Sequence, residues 1–244
     1  MRKKIAAGNW KMNGLRKQIA EIDKMSKTGI RHCEVIICPS FSILYMASEK
    51  LADTNIRIGA QNVHFEESGA FTGEISVEMI KDAGASHVIV GHSERREYFG
   101  ENDEIIAKKA LAVQSAGLTA IICVGETLKE RESGQAISVV TSQIKGSIPK
   151  GSNANNTIIA YEPVWAIGTG KVPSMGDIAE IHAAIRAEIP DADNMRILYG
   201  GSVKANNAEE IFAIDNVDGG LVGGASLKAE DFIPIINAAE KLSS

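Results

Sequence analysis

Two stretches near the end of the chain decide the fold. The first is Arg196-Ile197-Leu198-Tyr199-Gly200-Gly201-Ser202, and the second is Gly219-Gly220-Leu221-Val222-Gly223-Gly224. Each is a short apolar run closed by a glycine pair. An unalternating apolar run of this length reads as a strand buried on both faces, as in parallel sheets. Working back toward the N-terminus, similar runs recur at Ile5-Ala6-Ala7, Val35-Ile36-Ile37, Ile56-Arg57-Ile58, Val88-Ile89-Val90, Ala120-Ile121-Ile122 and Thr157-Ile158-Ile159. Helical patterns lie between most of them. Ile105, Ile106, Ala110 and Val113 mark one apolar face, with Asp103 and Glu104 at its start and Gly117 after it. Ile178, Ile181 and Ile185 mark another, stopped by Pro190, and a last one lies around Ile233 and Ile236.

Eight strands, each followed by a helix, in 244 residues is the arithmetic of an α/β (β/α)8 barrel, one domain over residues 1–244. The alternative is an open doubly wound sheet, which usually carries a glycine-rich fingerprint at its first strand–helix turn. Here that turn reads Gly8-Asn9-Trp10-Lys11-Met12-Asn13-Gly14 and lacks it, which favours the closed barrel.

Composition narrows the function. Lys plus Arg number 26 and Asp plus Glu 31, a formal net charge of −5, opposite in sign to a dedicated nucleic-acid binder. The basic clusters Arg2-Lys3-Lys4 and Arg95-Arg96 read as solvated surface. No apolar run approaches a membrane span, so neither nucleic acid nor membrane is an expected partner. The N-terminus begins like a signal peptide, but its apolar stretch fails at Asn9 and Lys11. Cys33, Cys38 and Cys123 cannot all pair and match no zinc spacing. Free thiols in a reducing cytoplasm are the simplest account.

In a barrel, chemistry belongs at the carboxyl ends of the strands. Strand one ends with Asn9 and Lys11, two apart, so strand alternation turns both to the mouth and Trp10 outward. Strand four ends with Gly91-His92-Ser93-Glu94-Arg95-Arg96, and strand six with Tyr161-Glu162-Pro163. The glycine pairs after strands seven and eight stand where such barrels hold phosphate. Bare backbone N–H groups there can approach an anion, though tight turns needing positive φ would use glycine too. His92 opens a segment that reads as a short helix start, and a helix N-terminus lowers a histidine pKa. A neutral imidazole can polarise a carbonyl. Glu162 closes an apolar strand, where a carboxylate is costly unless it works at the mouth, so it is the candidate general base. No other histidine ends a strand, so no metal site is expected. No lysine ends strand six, where Schiff-base barrel aldolases commonly carry theirs. Together these groups suggest proton abstraction beside a carbonyl. The prolines of Pro163-Val164-Trp165-Ala166-Ile167-Gly168-Thr169-Gly170-Lys171-Val172-Pro173 bracket a glycine-rich tip, which reads as a lid, centred on 166–170.

The segments Gly8 to Asn13, Gly91 to Arg96, Tyr161 to Lys171, Tyr199 to Val203 and Val222 to Leu227 resemble, in order, the motifs of the triosephosphate isomerase family. The resemblance covers the whole chain and implies a (β/α)8 TIM barrel. It implies an aldose–ketose isomerase of glycolysis and gluconeogenesis, interconverting dihydroxyacetone phosphate and D-glyceraldehyde 3-phosphate through an enediolate. Glu162 would move the proton and His92 would donate to the substrate oxygens. Lys11 would balance charge with Asn9 beside it, and Glu94 would orient the site. Gly168, Ser202, Gly223 and Gly224 would hold the phosphate by backbone N–H, with no cofactor. Gly69-Ala70-Phe71-Thr72-Gly73-Glu74 resembles that family's intersubunit loop, which implies a homodimer with Thr72 reaching the partner subunit. Two rivals are a sugar-phosphate epimerase or aldolase on the same barrel, and a non-catalytic phosphate-metabolite sensor. A sensor has no need of the base that Glu162 supplies.

Overall fold

The computed structural model describes residues 2–167 and 173–243. All eight expected strands form: β1 (Ile5–Asn9), β2 (Glu34–Cys38), β3 (Ile56–Ala60), β4 (His87–Val90), β5 (Thr119–Val124), β6 (Thr157–Tyr161), β7 (Arg196–Tyr199) and β8 (Gly219–Val222). They close in sequence order into an all-parallel barrel. At the closing seam Ile5 stands opposite Gly219. Gly219 has φ +129°, and a Cβ there would lie 1.9 Å from the Ile5 carbonyl oxygen, so the seam requires glycine.

The chain order of helices is α1 (Ile19–Met25), α2 (Phe41–Leu51), α3 (Val77–Asp82), α4 (Ser93–Phe99), α5 (Asp103–Ser115), α6 (Leu128–Glu132), α7 (Ala136–Ser147), α8 (Met175–Glu188), α9 (Ala208–Phe212) and α10 (Ala229–Lys241). The strands are buried on both faces, which is why they read as unbroken apolar runs. Ile5, Ala7, Ile36, Ile89, Ile121, Ile158, Leu198 and Leu221 fill the barrel interior. The alternate residues, such as Ala6, Val35, Ile37, Val88 and Ile159, face the helices. In α5 the face read from sequence is buried at Ile106, Ala110 and Val113, while Ile105 sits at its edge. Asn102 caps that helix, its Oδ1 accepting the Ile105 N–H at 3.0 Å. In α8 the buried face is Ile178, Ile181 and Ile185, joined by His182. Ser174 and Asp177 cap its start reciprocally, and it ends before Pro190.

Cys33, Cys38 and Cys123 are all buried free thiols. Burial pushes Cys33 and Cys38 up to about 12, so they pack as apolar groups. No helix among the described residues is long and apolar enough to cross a membrane.

The basic clusters depart from their sequence reading. Arg2 Nε meets Asp218 at 2.8 Å, and Lys4 Nζ donates to the carbonyls of Phe212 and Val217. Arg95 Nε meets Glu101 and Arg96 Nη1 meets Asp103, each at 2.5 Å. Most of these partners are distant in sequence, so no local charge pattern announced them.

The amino end of the barrel carries a charge network. Arg196 Nη1 donates to Glu34 Oε2 at 2.6 Å, and His87 Nε2 lies 3.4 Å from Glu34 Oε1. Burial alone pushes the Glu34 carboxyl upward, but the His87 ring and the Arg196 guanidinium outweigh it and hold it at about 2. A depressed carboxylate pKa contributes stability that is present above the unfolded value and lost as pH falls through the folded one. Glu34→Gln is therefore expected to cost about 2–3 kcal/mol at neutral pH, with the gap narrowing from about pH 4.5 toward 2. Urea midpoints at fixed protein concentration check this. A pH-independent gap would show that the ion pair is not its source.

Candidate active site

A cavity of about 320 Å³ opens at the carboxyl ends of the strands. Its wall includes Asn9, Lys11, His92, Glu162, Ser202, Gly223 and Gly224, so the structure brings these sequence-read residues together. Glu94 stands behind Lys11 and off the cavity wall. Gly168 and most of the lid stretch lie outside the described residues.

Lys11 reaches the mouth by a route other than strand alternation. β1 stops at Asn9, and Lys11 sits in the left-handed region at φ +52°. That conformation costs a non-glycine residue on the order of 1 kcal/mol and persists only where neighbours impose it. Those neighbours are visible. Trp10 is fully buried, its Nε1 donating to the Ser226 carbonyl at 2.9 Å. Asn9 Oδ1 turns back to accept the Lys11 N–H at 3.1 Å. Asn13 Nδ2 donates to the Trp10 carbonyl at 2.8 Å. Lys11 Nζ then meets Glu94 Oε1 at 2.5 Å.

The turn into α4 is set by Gly91, at φ +71°, where a Cβ would press to 2.8 Å from Ile106. His92 follows as the cap of α4. Its Nδ1 accepts the Glu94 N–H at 3.2 Å, which occupies that nitrogen's lone pair and leaves the proton on Nε2. Nε2 points to Glu162, 2.9 Å from Oε1. Glu162 is 1% exposed. Its Oε2 accepts the Ser93 N–H at 2.9 Å, while Oε1 has no aligned hydrogen-bond donor among the described residues despite the nearby ring. The carboxylate is thus buried and half satisfied.

The electrostatics correct one expectation. Burial raises the Glu162 carboxyl, but the His92 ring, the Ser93 N–H and the Lys11 charge prevail and hold it below the ordinary range. Burial lowers His92, yet the Glu162 carboxylate prevails and lifts it above its ordinary value. The helix terminus alone predicts a lowered imidazole. The carboxylate in contact with Nε2 reverses it.

The glycine pairs separate their two readings. None of Gly200, Gly201, Gly223 or Gly224 has a positive φ, so a left-handed turn is not what calls for glycine there. Gly200 and Gly201 are squeezed, a Cβ on Gly201 meeting the Tyr199 hydroxyl at 2.2 Å. Gly223 and Gly224 instead face open space: the nearest atom to a Cβ on Gly223 is Lys11 Cε at 3.7 Å, and none lies within 4 Å on Gly224. The backbone N–H groups of Ser202, Gly223 and Gly224 donate to no group among the described residues.

Several supporting residues escaped the sequence reading. Arg96 ties two strand ends to two helices, donating from Nε to the Gly91 carbonyl at 3.0 Å and from Nη2 to that of Cys123 at 3.1 Å, and meeting Asp103 of α5 and Ser147 of α7. Gly125 admits the Glu162 backbone, since a Cβ there would fall 1.7 Å from its carbonyl oxygen. Glu126 is fully buried and accepts from Trp165 Nε1 at 2.9 Å and the Tyr161 hydroxyl at 3.2 Å, holding the turn that follows Glu162. Lys204 lines the cavity rim. The position of Gly125-Glu126 just beyond strand five was the one sequence signal among these.

Comparison with known proteins agrees with this geometry. The triosephosphate isomerase family model matches residues 4–239. The triosephosphate isomerase of Ruegeria sp. (strain TM1040) is 51% identical over 98% of both chains. That of Prosthecochloris aestuarii (strain DSM 271 / SK 413) is 51% identical over 99% of this chain and all of its own. The crystal structure of triosephosphate isomerase from Bartonella henselae superposes with a TM-score of 0.92 at 45% identity, covering 97% of this chain and 98% of its own. A match of this length and identity, on a closed barrel with these strand ends, means that the chain belongs to the triosephosphate isomerase family.

Proposed function

We propose that the whole chain, 1–244, works as one barrel domain that interconverts dihydroxyacetone phosphate and D-glyceraldehyde 3-phosphate. The observation that carries this reading is one cavity holding both a buried carboxylate–imidazole pair and three backbone N–H groups that meet no acceptor among the described residues. The N–H groups of Ser202, Gly223 and Gly224 fit a phosphate, and the open space over Gly223 and Gly224 leaves room for it. Gly168, assigned the same task by family resemblance, lies outside the described residues. Glu162 takes a proton from the carbon beside the carbonyl and returns it to the neighbouring carbon. His92 Nε2–H donates to the carbonyl oxygen as charge develops there, giving the enediolate. Lys11 faces that charge, and Asn9 fixes the Lys11 backbone. Glu94 acts from behind, touching Lys11 with its carboxylate and His92 with its N–H, and is a positioning residue.

The same reading includes a homodimer built through the loop around Thr72. Thr72 is exposed, and Phe71 beside it and Met79, which lines the same hollow as Gly69 and Phe71, are exposed apolar side chains that a partner subunit would cover. Thr72 would reach the region of Asn9 and Lys11 of the partner subunit. The free thiols fit a cytoplasmic setting.

A coupled isomerase assay on the purified chain tests the activity. Glu162→Gln is expected to lower kcat by roughly 10²–10⁴-fold while phosphate still competes for the site. Near-full activity in that variant would refute the base. The ligand-free wild type should show His92 titrating above its ordinary value by ¹⁵N NMR, because Glu162 lifts it. In Glu162→Gln the lift goes while burial and Lys11 remain, so the His92 pKa should drop below the ordinary value of about 6.5. An unchanged titration would mean that the pair is not electrostatically coupled. Excising part of the 69–73 segment should give soluble monomers of much reduced activity. Sedimentation showing an intact dimer would overturn the interface.

A further inference from the structure

The charged residues on the described wall of the cavity are not equivalent. Lys11 is paired with Glu94 at 2.5 Å, and Glu162 lies against His92 at 2.9 Å. Lys204 also lines the cavity, beside Ser202, and has no ion-pair partner among the described residues. Its backbone is fixed while its amine is free. Asn207 Oδ1 accepts the Lys204 N–H at 2.7 Å, and Asn207 Nδ2 donates to the Ser202 carbonyl at 3.1 Å, so one side chain clamps the Ser202–Lys204 turn. Lys204 also borders a second, outer hollow with Asn206, Gly224 and Asp231. It therefore borders both hollows, next to the cradle.

That position matters because the chain as a whole repels the proposed substrate. The formal net charge is −5, and a phosphate monoester carries nearly two negative charges at neutral pH. Behind the cavity wall Glu94 offsets Lys11, and the exposed Asp231 on the outer hollow adds negative charge. We infer that Lys204 is a capture residue, an unpaired cation at the rim that draws the phosphate end of the substrate onto the N–H groups of Ser202, Gly223 and Gly224. The inference rests on the phosphate reading of that cradle. It assigns Lys204 a through-space role and no part in proton transfer. A through-space role is sensitive to salt, whereas a fixed short contact or a folding role is much less so.

The test measures kcat, KM and inhibition by inorganic phosphate for the wild type, Lys204→Gln and Lys204→Arg across ionic strength. At low ionic strength, where the screening length is about 30 Å, Lys204→Gln should lose roughly 3–10-fold in kcat/KM. Its phosphate inhibition constant should rise by a similar factor. Near 1 M salt, with screening at about 3 Å, the gap should close, and Lys204→Arg should track the wild type throughout. Equal kcat/KM for Gln and wild type at low salt would overturn the inference. So would a gap that persists at high salt, or a loss residing in kcat, which would signal a disturbed Ser202 turn. If phosphate failed to compete even in the wild type, the cradle reading itself would fall, and the Lys204 assignment with it.

Discussion

Holding an ionised carboxylate at the end of an apolar strand is the constraint on which the carboxyl end of this barrel depends. Glu162 is 1% exposed, and a buried charge is tolerated only where donors and opposite charge surround it. Those donors come from α4, whose first N–H, that of Ser93, binds one oxygen, and whose cap, His92, faces the other. For α4 to point this way the chain must turn at Gly91, and Arg96 must pin the turn to the strand ends. Gly125 and Gly200 lack side chains where Glu162 needs room, a Cβ on Gly200 falling 2.9 Å from Glu162 Cγ. Glycines, an arginine and a short helix that look unrelated in sequence thus answer one electrostatic requirement.

The two ends of the barrel solve opposite problems with the same residue types. At the amino end Glu34 is fully matched by Arg196 and His87, and the network only stabilises. At the carboxyl end the matching is deliberately incomplete. Among the described residues Glu162 Oε1 has no aligned donor and the N–H groups of Ser202, Gly223 and Gly224 have no acceptor, and Lys11 holds a strained φ of +52°. Unmet polar capacity is a cost to folding and an asset to binding, because a ligand can satisfy it. The apolar interior between the ends, from Ile5 to Leu221, keeps the frame rigid enough to sustain that cost.

The fold was legible because burial on both faces leaves a plain mark: eight apolar runs, each found as a strand. The site was legible where chemistry sits at a strand terminus, as with His92, Glu162 and the glycine pairs. It was not legible where geometry depends on contacts across the barrel. Alternation placed Lys11 at the mouth for the wrong reason, since the residue arrives there through a left-handed kink held by Trp10 and Asn13. The direction of the His92 shift depends on Glu162, separated from it along the chain and adjacent only after closure. Arg95 and Arg96 read as solvated because their acids, Glu101 and Asp103, fall outside the three- and four-residue spacing that marks helical pairs.

The resting pair of Glu162 and His92 has a consequence for turnover. A base that is too well bound by its own protein must break those bonds before it can reach a carbon, and that loss raises the barrier. Here the loss is limited. The Ser93 N–H makes one aligned bond to Oε2, and the ring contact at 2.9 Å lacks alignment. Substrate entering between the two groups would also separate the charge that lifts His92 from the ring that feels it. The Nδ1 contact with the Glu94 N–H leaves the ring proton on Nε2, on the side that faces Glu162. The pair and the Ser93 N–H together hold the Glu162 carboxyl below its ordinary range, and that is what lets a buried charge persist at the strand end.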